Sequence, residues 1–181
     1  MSRNKLVIAS WILSAASCVS SPAPSPGRIP TAAELALQSP PERCTVIGWE
    51  DGDTPAVRCG ETEVVIRLLG VDTAESGFDA NSRKRGEKQA RLWGLRLHQV
   101  FACGKAATRR VRELCPAGSP VEVIGKQTGK YGRRLAYVIC AGVDLNERLL
   151  AEGLAGRYPY PAPPEKPAAC PSANESSAGA K

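Results

Sequence analysis

The sequence predicts a mostly β fold of the α+β class, in which helices are added to a closed five-stranded barrel. Three observations lead to this prediction. Short β-rich runs come first and are separated by turn signals at Asp51-Gly52 and Gly60. A stretch with helical spacing and two further β-rich runs follow, and then a capped helix. Strands and helices in this order match the OB-fold, the barrel of the oligonucleotide-binding type.

The individual elements follow from local patterns. The predicted strands span residues 45–49, 54–58, 63–69, 121–125 and 134–140. Residues 104–114 predict the helix after the third strand, because Ala107, Val111 and Leu114 share one helical face. Asp144, with Glu147 three positions later, predicts a capping box for the last helix, which Gly153 ends.

The two ends of the chain lack the composition of a folded domain. Residues 1–18 predict an export signal, because Arg3 and Lys5 precede a short apolar stretch that ends in small residues. The alternative, a buried N-terminal helix, is disfavoured because the stretch has no polar face. Residues 19–43 hold six prolines, as do residues 159–181. We therefore expect a linker at 19–43, one domain at 44–160 and a disordered tail at 161–181.

Cysteine usage agrees with export to the periplasm or the medium. Cys18 falls at the expected cleavage point, and the other six cysteines allow three disulfides in an oxidising compartment. Cys44 and Cys59 lie almost symmetrically about the first turn, so we expect them to pair. Cys103 and Cys115 flank a helix too long for a disulfide to bridge. Lipidation of Cys18 is an alternative that would attach the chain to a membrane.

Basic residues are concentrated in one part of the chain. The formal net charge is +6, and residues 82–112 hold ten Lys or Arg residues against one acid, Glu87. Such a bias is typical of a surface that meets phosphates, and the alternative is a solvated helical face. Within this stretch, residues 86–101 have apolar side chains at helical spacing and predict an additional helix. That helix either packs on the barrel or forms an arm for nucleic acid.

The chemistry available to the chain is that of carboxylates and arginines. His98 is the single histidine, which excludes a zinc site with several histidine ligands and disfavours a histidine-based triad. Carboxylates and guanidinium groups suit hard cations and phosphates. They form three clusters, at residues 51–54, 67–75 and 130–133.

Taken together on this strand pattern, the clusters resemble the staphylococcal nuclease family over about residues 44–156. The similarity includes the turn Asp-Gly-Asp-Thr at 51–54 and the run Arg-Leu-Leu-Gly-Val-Asp-Thr-Ala-Glu at 67–75. It also includes Lys-Tyr-Gly-Arg-Arg-Leu-Ala-Tyr at 130–137, followed by Asn146-Glu147. Two features depart from the family: Ala74 replaces the usual proline, and the loop after Glu75 is longer.

The resemblance implies a role for each of these residues. Asp53, Asp72 and the backbone carbonyl of Thr73 would bind one Ca²⁺, and Glu75 would act on the attacking water. Arg67 and Arg133 would stabilise the charge that develops on the phosphate. Binding of the nucleic acid would fall to four further residues, namely Lys130, Tyr131, Tyr158 and Tyr160. The last two keep the Tyr-x-Tyr spacing of the family, in a register shifted by one.

These expectations describe an exported, monomeric, Ca²⁺-dependent endonuclease that hydrolyses phosphodiester bonds of DNA or RNA and has no protein partner. The main alternative is a noncatalytic OB-barrel that binds nucleic acid or another polyanion in the cell envelope. Retention of the acids disfavours it, because without a metal they repel phosphate. A second alternative is a lipid-tethered structural barrel.

Overall fold

The structure is a computed structural model that describes residues 28–77, 79–129 and 131–170. The described part contains eight strands: β1 (Glu42–Asp51), β2 (Thr54–Cys59), β3 (Thr62–Leu68), β4 (Val71–Thr73), β5 (Pro120–Ile124), β6 (Arg134–Cys140), β7 (Val143–Asp144) and β8 (Ala155–Arg157). It also contains four helices: α1 (Ala32–Gln38), α2 (Ala80–Trp93), α3 (Leu97–Leu114) and α4 (Leu145–Ala151).

Five of the strands close into a barrel. β1 pairs antiparallel with β2 and with β5, β2 pairs with β3, and β5 pairs with β6. A parallel pairing between β3 and β6 joins the two edges and closes the sheet. Closure leaves no open edge between these strands. The predicted fold class, an OB-fold barrel with added helices, is confirmed.

The barrel interior is filled by alternate side chains of the strands and by one face of α4. Cys44 and Val46 of β1 are buried, whereas Thr45 between them is exposed, as expected for a sheet with one buried face. Leu145 and Leu149, four residues apart on α4, have no exposed surface. Burying a leucine of this kind contributes about 1.5–3 kcal/mol.

Asn146 holds α4 against the barrel. Its side chain donates to the carbonyl of Leu69 at 2.9 Å and accepts from the amide of Val138 at 3.3 Å. As predicted, Asp144 caps α4, since its side chain accepts from the first amides of the helix. The Asn146 bonds fix α4 at the junction where β3 and β6 close the barrel.

The prediction of one helix over residues 86–101 is wrong. α2 ends at Trp93 and is capped by Gly94, which has a left-handed φ of 65°. α3 starts at Leu97 and continues through residues 104–114, where a separate helix is predicted. Glycine reaches this φ without steric cost, so the chain reverses there. The reversal places Ala90 and Val100 in a second buried cluster, where α2 packs on α3.

Described elements and contacts extend beyond residues 44–160 at both ends. Thr31 and Glu34 form a capping box that starts α1, inside the predicted linker. Residues 161–170, here called the C-terminal strap, run back along the domain. Within it Ala169 donates to the carbonyl of Gly153 at 2.8 Å, and the carbonyl of Pro164 accepts from the indole of Trp93 at 3.2 Å. The predicted export signal, Cys18 and residues 171–181 lie outside the described residues.

Three disulfides link the described part of the chain: Cys44–Cys59, Cys103–Cys170 and Cys115–Cys140. The predicted Cys44–Cys59 pair is confirmed, with 4.3 Å between its Cα atoms. Cys103 and Cys115 have different partners, as their spacing requires. This disulfide content fits an oxidising compartment. Across the described ranges, none of the helices has the length and apolar character needed to cross a bilayer.

Candidate active site

Asp53 lies at the turn between β1 and β2, and its side chain is only 1% exposed. Its Oδ2 accepts from the amide of Thr73 at 2.6 Å and from the Thr73 hydroxyl at 3.1 Å. Its Oδ1 accepts from the hydroxyl of Thr54 at 3.1 Å. These bonds fix the orientation of the carboxylate and join β4 to the first hairpin.

Arg67 of β3 bridges two carboxylates. Its Nη1 donates to Asp53 and its Nη2 donates to Asp72, and the arginine side chain is 15% exposed. Burial opposes the positive charge of Arg67, but the charges of Asp53 and Asp72 outweigh it and raise the pKa of Arg67. The guanidinium therefore lies where a cation between the two acids would be placed.

Two carboxylates of the cluster bind protons more tightly than usual. Burial, together with the charge of Asp53, raises the pKa of Asp51 to about 7. Burial also raises the pKa of Asp72 to about 6, against the opposing effect of Arg67. In this cluster the charges of Asp51, Asp53 and Asp72 all act on Arg67. Asp51, which entered the sequence reasoning only as a turn residue, belongs to the cluster and accepts from the amide of Asp53 at 3.2 Å.

Glu75 follows β4 and is held by α2. Both of its carboxylate oxygens accept from Arg85, from Nε at 2.6 Å and from Nη2 at 2.9 Å. The glutamate side chain is 13% exposed and the arginine side chain 53%. The hydrogen bond to Glu75 raises the pKa of Arg85. The long segment after Glu75 thus folds back onto the carboxylate, and sequence reasoning did not identify Arg85.

Gln89, one turn further along α2, also contacts the segment from Asp72 to Glu75. Its Nε2 donates to Asp72 Oδ2 and to the carbonyl of Thr73, both at 3.1 Å, and its Oε1 accepts from the amide of Glu75 at 2.9 Å. Sequence reasoning missed this residue too. The helical spacing of four from Arg85 is the signal that places the two side chains on one face.

α3 packs directly beneath the backbone of Glu75. A Cβ atom on Gly104 would lie 2.5 Å from the carbonyl oxygen of Ala74 and closer still to that of Glu75. Only glycine therefore allows this approach.

Arg133 lies at the rim of the cluster. Its Nη1 is 3.4 Å from the hydroxyl of Thr54, which itself contacts Asp53. Its guanidinium carbon is 5.9 Å from the ring centroid of Tyr131, whose side chain points outward and is 77% exposed. Lys130, the other residue predicted to bind here, lies outside the described residues.

Tyr158 and Tyr160 lie just after β8. This strand pairs with β4, where Asp72 faces Gly156, and the amide of Tyr158 donates to the carbonyl of Gly70 at 2.9 Å. The two rings meet edge to face with centroids 6.2 Å apart. The tyrosines therefore flank the strand that carries Asp72.

The residues around Arg67 fit a hard divalent cation. The oxygens of Asp53, Asp72 and the Thr73 carbonyl share one hydrogen-bonded cluster, and oxygen is the ligand that Ca²⁺ and Mg²⁺ prefer. The arginine already brings a positive charge between Asp53 and Asp72. A metal ion between Asp53 and Asp72 would require this guanidinium to turn away.

The fold and the site together define an OB-type barrel whose mouth gathers carboxylates and guanidinium groups. Comparison with known proteins identifies the family. The model described as "Staphylococcal nuclease homologue" matches residues 65–181, more than half of the chain. The chain belongs to the staphylococcal nuclease family.

The chain is also similar to an uncharacterized protein of Bacillus anthracis. The two are 31% identical over 108 residues, which cover 60% of this chain and 44% of that protein. The match thus spans less than half the length of the curated relative.

Proposed function

We propose that the chain is a Ca²⁺-dependent endonuclease that hydrolyses phosphodiester bonds of DNA or RNA. The observation that carries the proposal is the single hydrogen-bonded cluster that joins Asp53, Arg67 and Asp72. Glu75 lies three residues beyond Asp72 and is oriented from α2. This combination offers ligands for a hard cation, donors for a phosphate and a carboxylate for a water molecule in one place.

Asp53, Asp72 and the carbonyl of Thr73 would hold the metal ion. Few protein ligands and irregular geometry suit Ca²⁺, which completes its shell with water and substrate oxygens. When bound, the ion polarises the phosphate and neutralises charge that develops on its oxygens. The hydrogen bonds that hold Asp53 and the Thr73 carbonyl support the proposal, because they keep these oxygens close to Asp72.

Arg67 would change partners during binding. In this structure it bridges Asp53 and Asp72, and with a metal ion between these acids it would turn its guanidinium fork to the phosphate. Arg133, at the rim beside Thr54, would approach the same phosphate from the other side. Both interactions strengthen as negative charge grows on the phosphate oxygens, which is the condition for acceleration.

Glu75 would act on the attacking water, as a general base or by orienting it. The water oxygen attacks phosphorus, a proton passes to a Glu75 oxygen, and the bond from phosphorus to the leaving ester oxygen breaks. That oxygen then takes a proton from solvent. A positioned carboxylate in this role contributes roughly 10² to 10⁴ in rate. The ion pair with Arg85 has to loosen on at least one oxygen before the water is engaged.

Nucleic acid would extend along the basic face of α2. Lys84, Lys88 and Arg91 are exposed there, and their spacing of four and three residues places them on one stripe. Tyr131 and Tyr160, both largely exposed, would stack on bases, as would Tyr158. Lys130 would contact phosphate beside Tyr131. We propose that the chain is exported, and its disulfides support this. We also propose that it acts as a monomer without a protein partner.

One observation favours the alternative of a noncatalytic polyanion-binding barrel. Glu75 and Asp53 are both neutralised by arginines, so the acids need no metal to be tolerated. The two functions separate in one experiment: labelled single-stranded DNA is incubated with the purified, disulfide-intact chain in Ca²⁺ or in excess EGTA. The nuclease predicts fragments only with Ca²⁺. Retention of intact DNA on the protein in both conditions would reject the nuclease and support the barrel as a binder.

A further inference from the structure

The buried face of α2 presents one amide to the metal-binding run. Ser82, Gly86 and Gln89 lie on this face, and Gln89 is 8% exposed. The amide of Gln89 makes three hydrogen bonds, and they go to Asp72, Thr73 and Glu75. One side chain of α2 thus contacts both candidate metal ligands of β4 and the peptide that carries the candidate base.

The chemistry of an amide matches this position. The carboxylate of Asp72 and the carbonyl of Thr73 need a donor, whereas the amide N–H of Glu75 needs an acceptor. Glutamine supplies both from the two ends of one group. Glutamate would place an oxygen against Asp72, and an apolar side chain would leave three buried polar groups without this partner.

The same bonds determine the orientation of the Asp72 carboxylate and that of the Glu75 peptide. The carboxylate of Asp72 accepts on both oxygens: Oδ1 accepts from Arg67, and Oδ2 accepts from Gln89. β4 ends at Thr73, so its pairing with β8 does not reach Glu75. The bond from the Glu75 amide to Gln89 therefore fixes the peptide at the point where the strand no longer does.

α2 also has anchoring contacts besides those to Asp72, Thr73 and Glu75. Asp79 caps its first turn, and Ala90 packs with Leu95 and Val100 where the helix meets α3. The disulfide Cys103–Cys170 secures the same cluster. Gln89 thus contacts the site from a helix that is also capped and packed against α3.

We propose that Gln89 is a positioning residue, which holds Asp72 and the Thr73 carbonyl for the metal ion and Glu75 for the water. The inference rests on the proposed function. Partners of this kind, one step removed from a metal ion, typically change metal affinity or activity by about 10–100-fold when they are lost. The effect is expected on Ca²⁺ affinity and on kcat, with KM for DNA at saturating Ca²⁺ nearly unchanged.

The test compares Gln89→Met with Gln99→Met in the full chain. Gln99 is also a buried glutamine, at 5% exposure, but it lies at the start of α3 and its amide nitrogen has no hydrogen-bond partner in the described structure. Ca²⁺ affinity is measured calorimetrically without DNA, and kcat and KM are measured on single-stranded DNA. Melting temperatures monitor the fold. Gln89→Asn, which keeps an amide but shortens it, serves as a second variant if Gln89→Met does not fold.

Gln89→Met is expected to weaken Ca²⁺ binding and to lower kcat, each by about 10–100-fold relative to Gln99→Met, at a similar melting temperature. Gln89→Asn is expected to lose less Ca²⁺ affinity and less kcat than Gln89→Met. Ca²⁺ affinity and kcat equal to those of Gln99→Met would overturn the proposal and leave Gln89 a structural residue. If the parent chain cleaves no DNA, the nuclease proposal fails, and the calcium titration still decides the role of Gln89.

Discussion

Arg85 donates to both oxygens of Glu75, at 2.6 Å and 2.9 Å, from α2, the helix that follows β4. The pair joins a half-exposed cation to a largely buried carboxylate at the mouth of the barrel. In a nuclease, the same contact competes with the water that Glu75 has to engage. α2 therefore restrains the carboxylate to which the proposed function assigns the attacking water.

Loss of Arg85 is expected to raise kcat modestly. In Arg85→Ala the carboxylate of Glu75 no longer has to leave an ion pair before it binds water. Because the arginine of this pair is half exposed and solvent screens it, the pair contributes about 0–1 kcal/mol, so the expected increase stays within about five-fold. Steady-state cleavage of single-stranded DNA measures it, with Arg83→Ala, which breaks the outward pair to Glu87, as the control. A fall in kcat would show that Arg85 supports Glu75 instead of restraining it.

Lysine is not expected to replace Arg67 in catalysis. The guanidinium contacts two carboxylates at once and offers the same fork to a phosphate, whereas an ammonium is a single point of charge. Arg67→Lys should lower kcat by about 10² or more. Single-turnover cleavage with saturating enzyme measures the chemical step. Arg58→Lys, at an exposed pair with Glu63, is the matched control, and equal losses in both variants would argue against the proposed role.

A methyl group at Gly104 is expected to displace Glu75. The added Cβ would collide with the carbonyls of Ala74 and Glu75, which are backbone atoms and cannot rotate away. Gly104→Ala should destabilise the fold by about 1–3 kcal/mol and reduce kcat at temperatures where it remains folded. Gly48→Ala is the control, because a Cβ there meets nothing within 4 Å. Denaturant titration and cleavage assays on both variants test this; unchanged kcat in folded Gly104→Ala would contradict it.

The basic stripe of α2 is expected to act on long substrates only. Lys84, Lys88 and Arg91 show no ion pair among the described residues, so they remain available to phosphates. Changing all three to glutamine should raise KM for polymeric DNA and flatten its dependence on salt. Cleavage of a dinucleotide should be unaffected, since it does not reach the stripe. An unchanged salt dependence would show that these three side chains are solvated and do not bind phosphates.

Local patterns in the sequence predicted the barrel, whereas Asp53, Arg67 and Asp72 were predicted from the resemblance to the family. Alternation with turn signals determines the strands, and Asp53, Arg67 and Asp72 each lie at or near a strand end that the barrel brings together. Arg85 and Gln89 were missed because they follow the longer loop after Glu75, where the chain departs from the family, and no local pattern specifies how α2 packs back on Glu75. The C-terminal strap was missed for a related reason: its prolines exclude a core of its own, but a disulfide and backbone hydrogen bonds anchor it to the domain.

The most direct test of the account is Ca²⁺-dependent cleavage of single-stranded DNA by Glu75→Gln beside Glu61→Gln. Glu61 is an exposed glutamate in the turn between β2 and β3, so the same change there leaves the site untouched. The account predicts that Glu61→Gln cuts as the parent chain does, and that Glu75→Gln binds DNA and Ca²⁺ but loses roughly 10² to 10⁴ in rate. Equal cleavage by the two variants would contradict it.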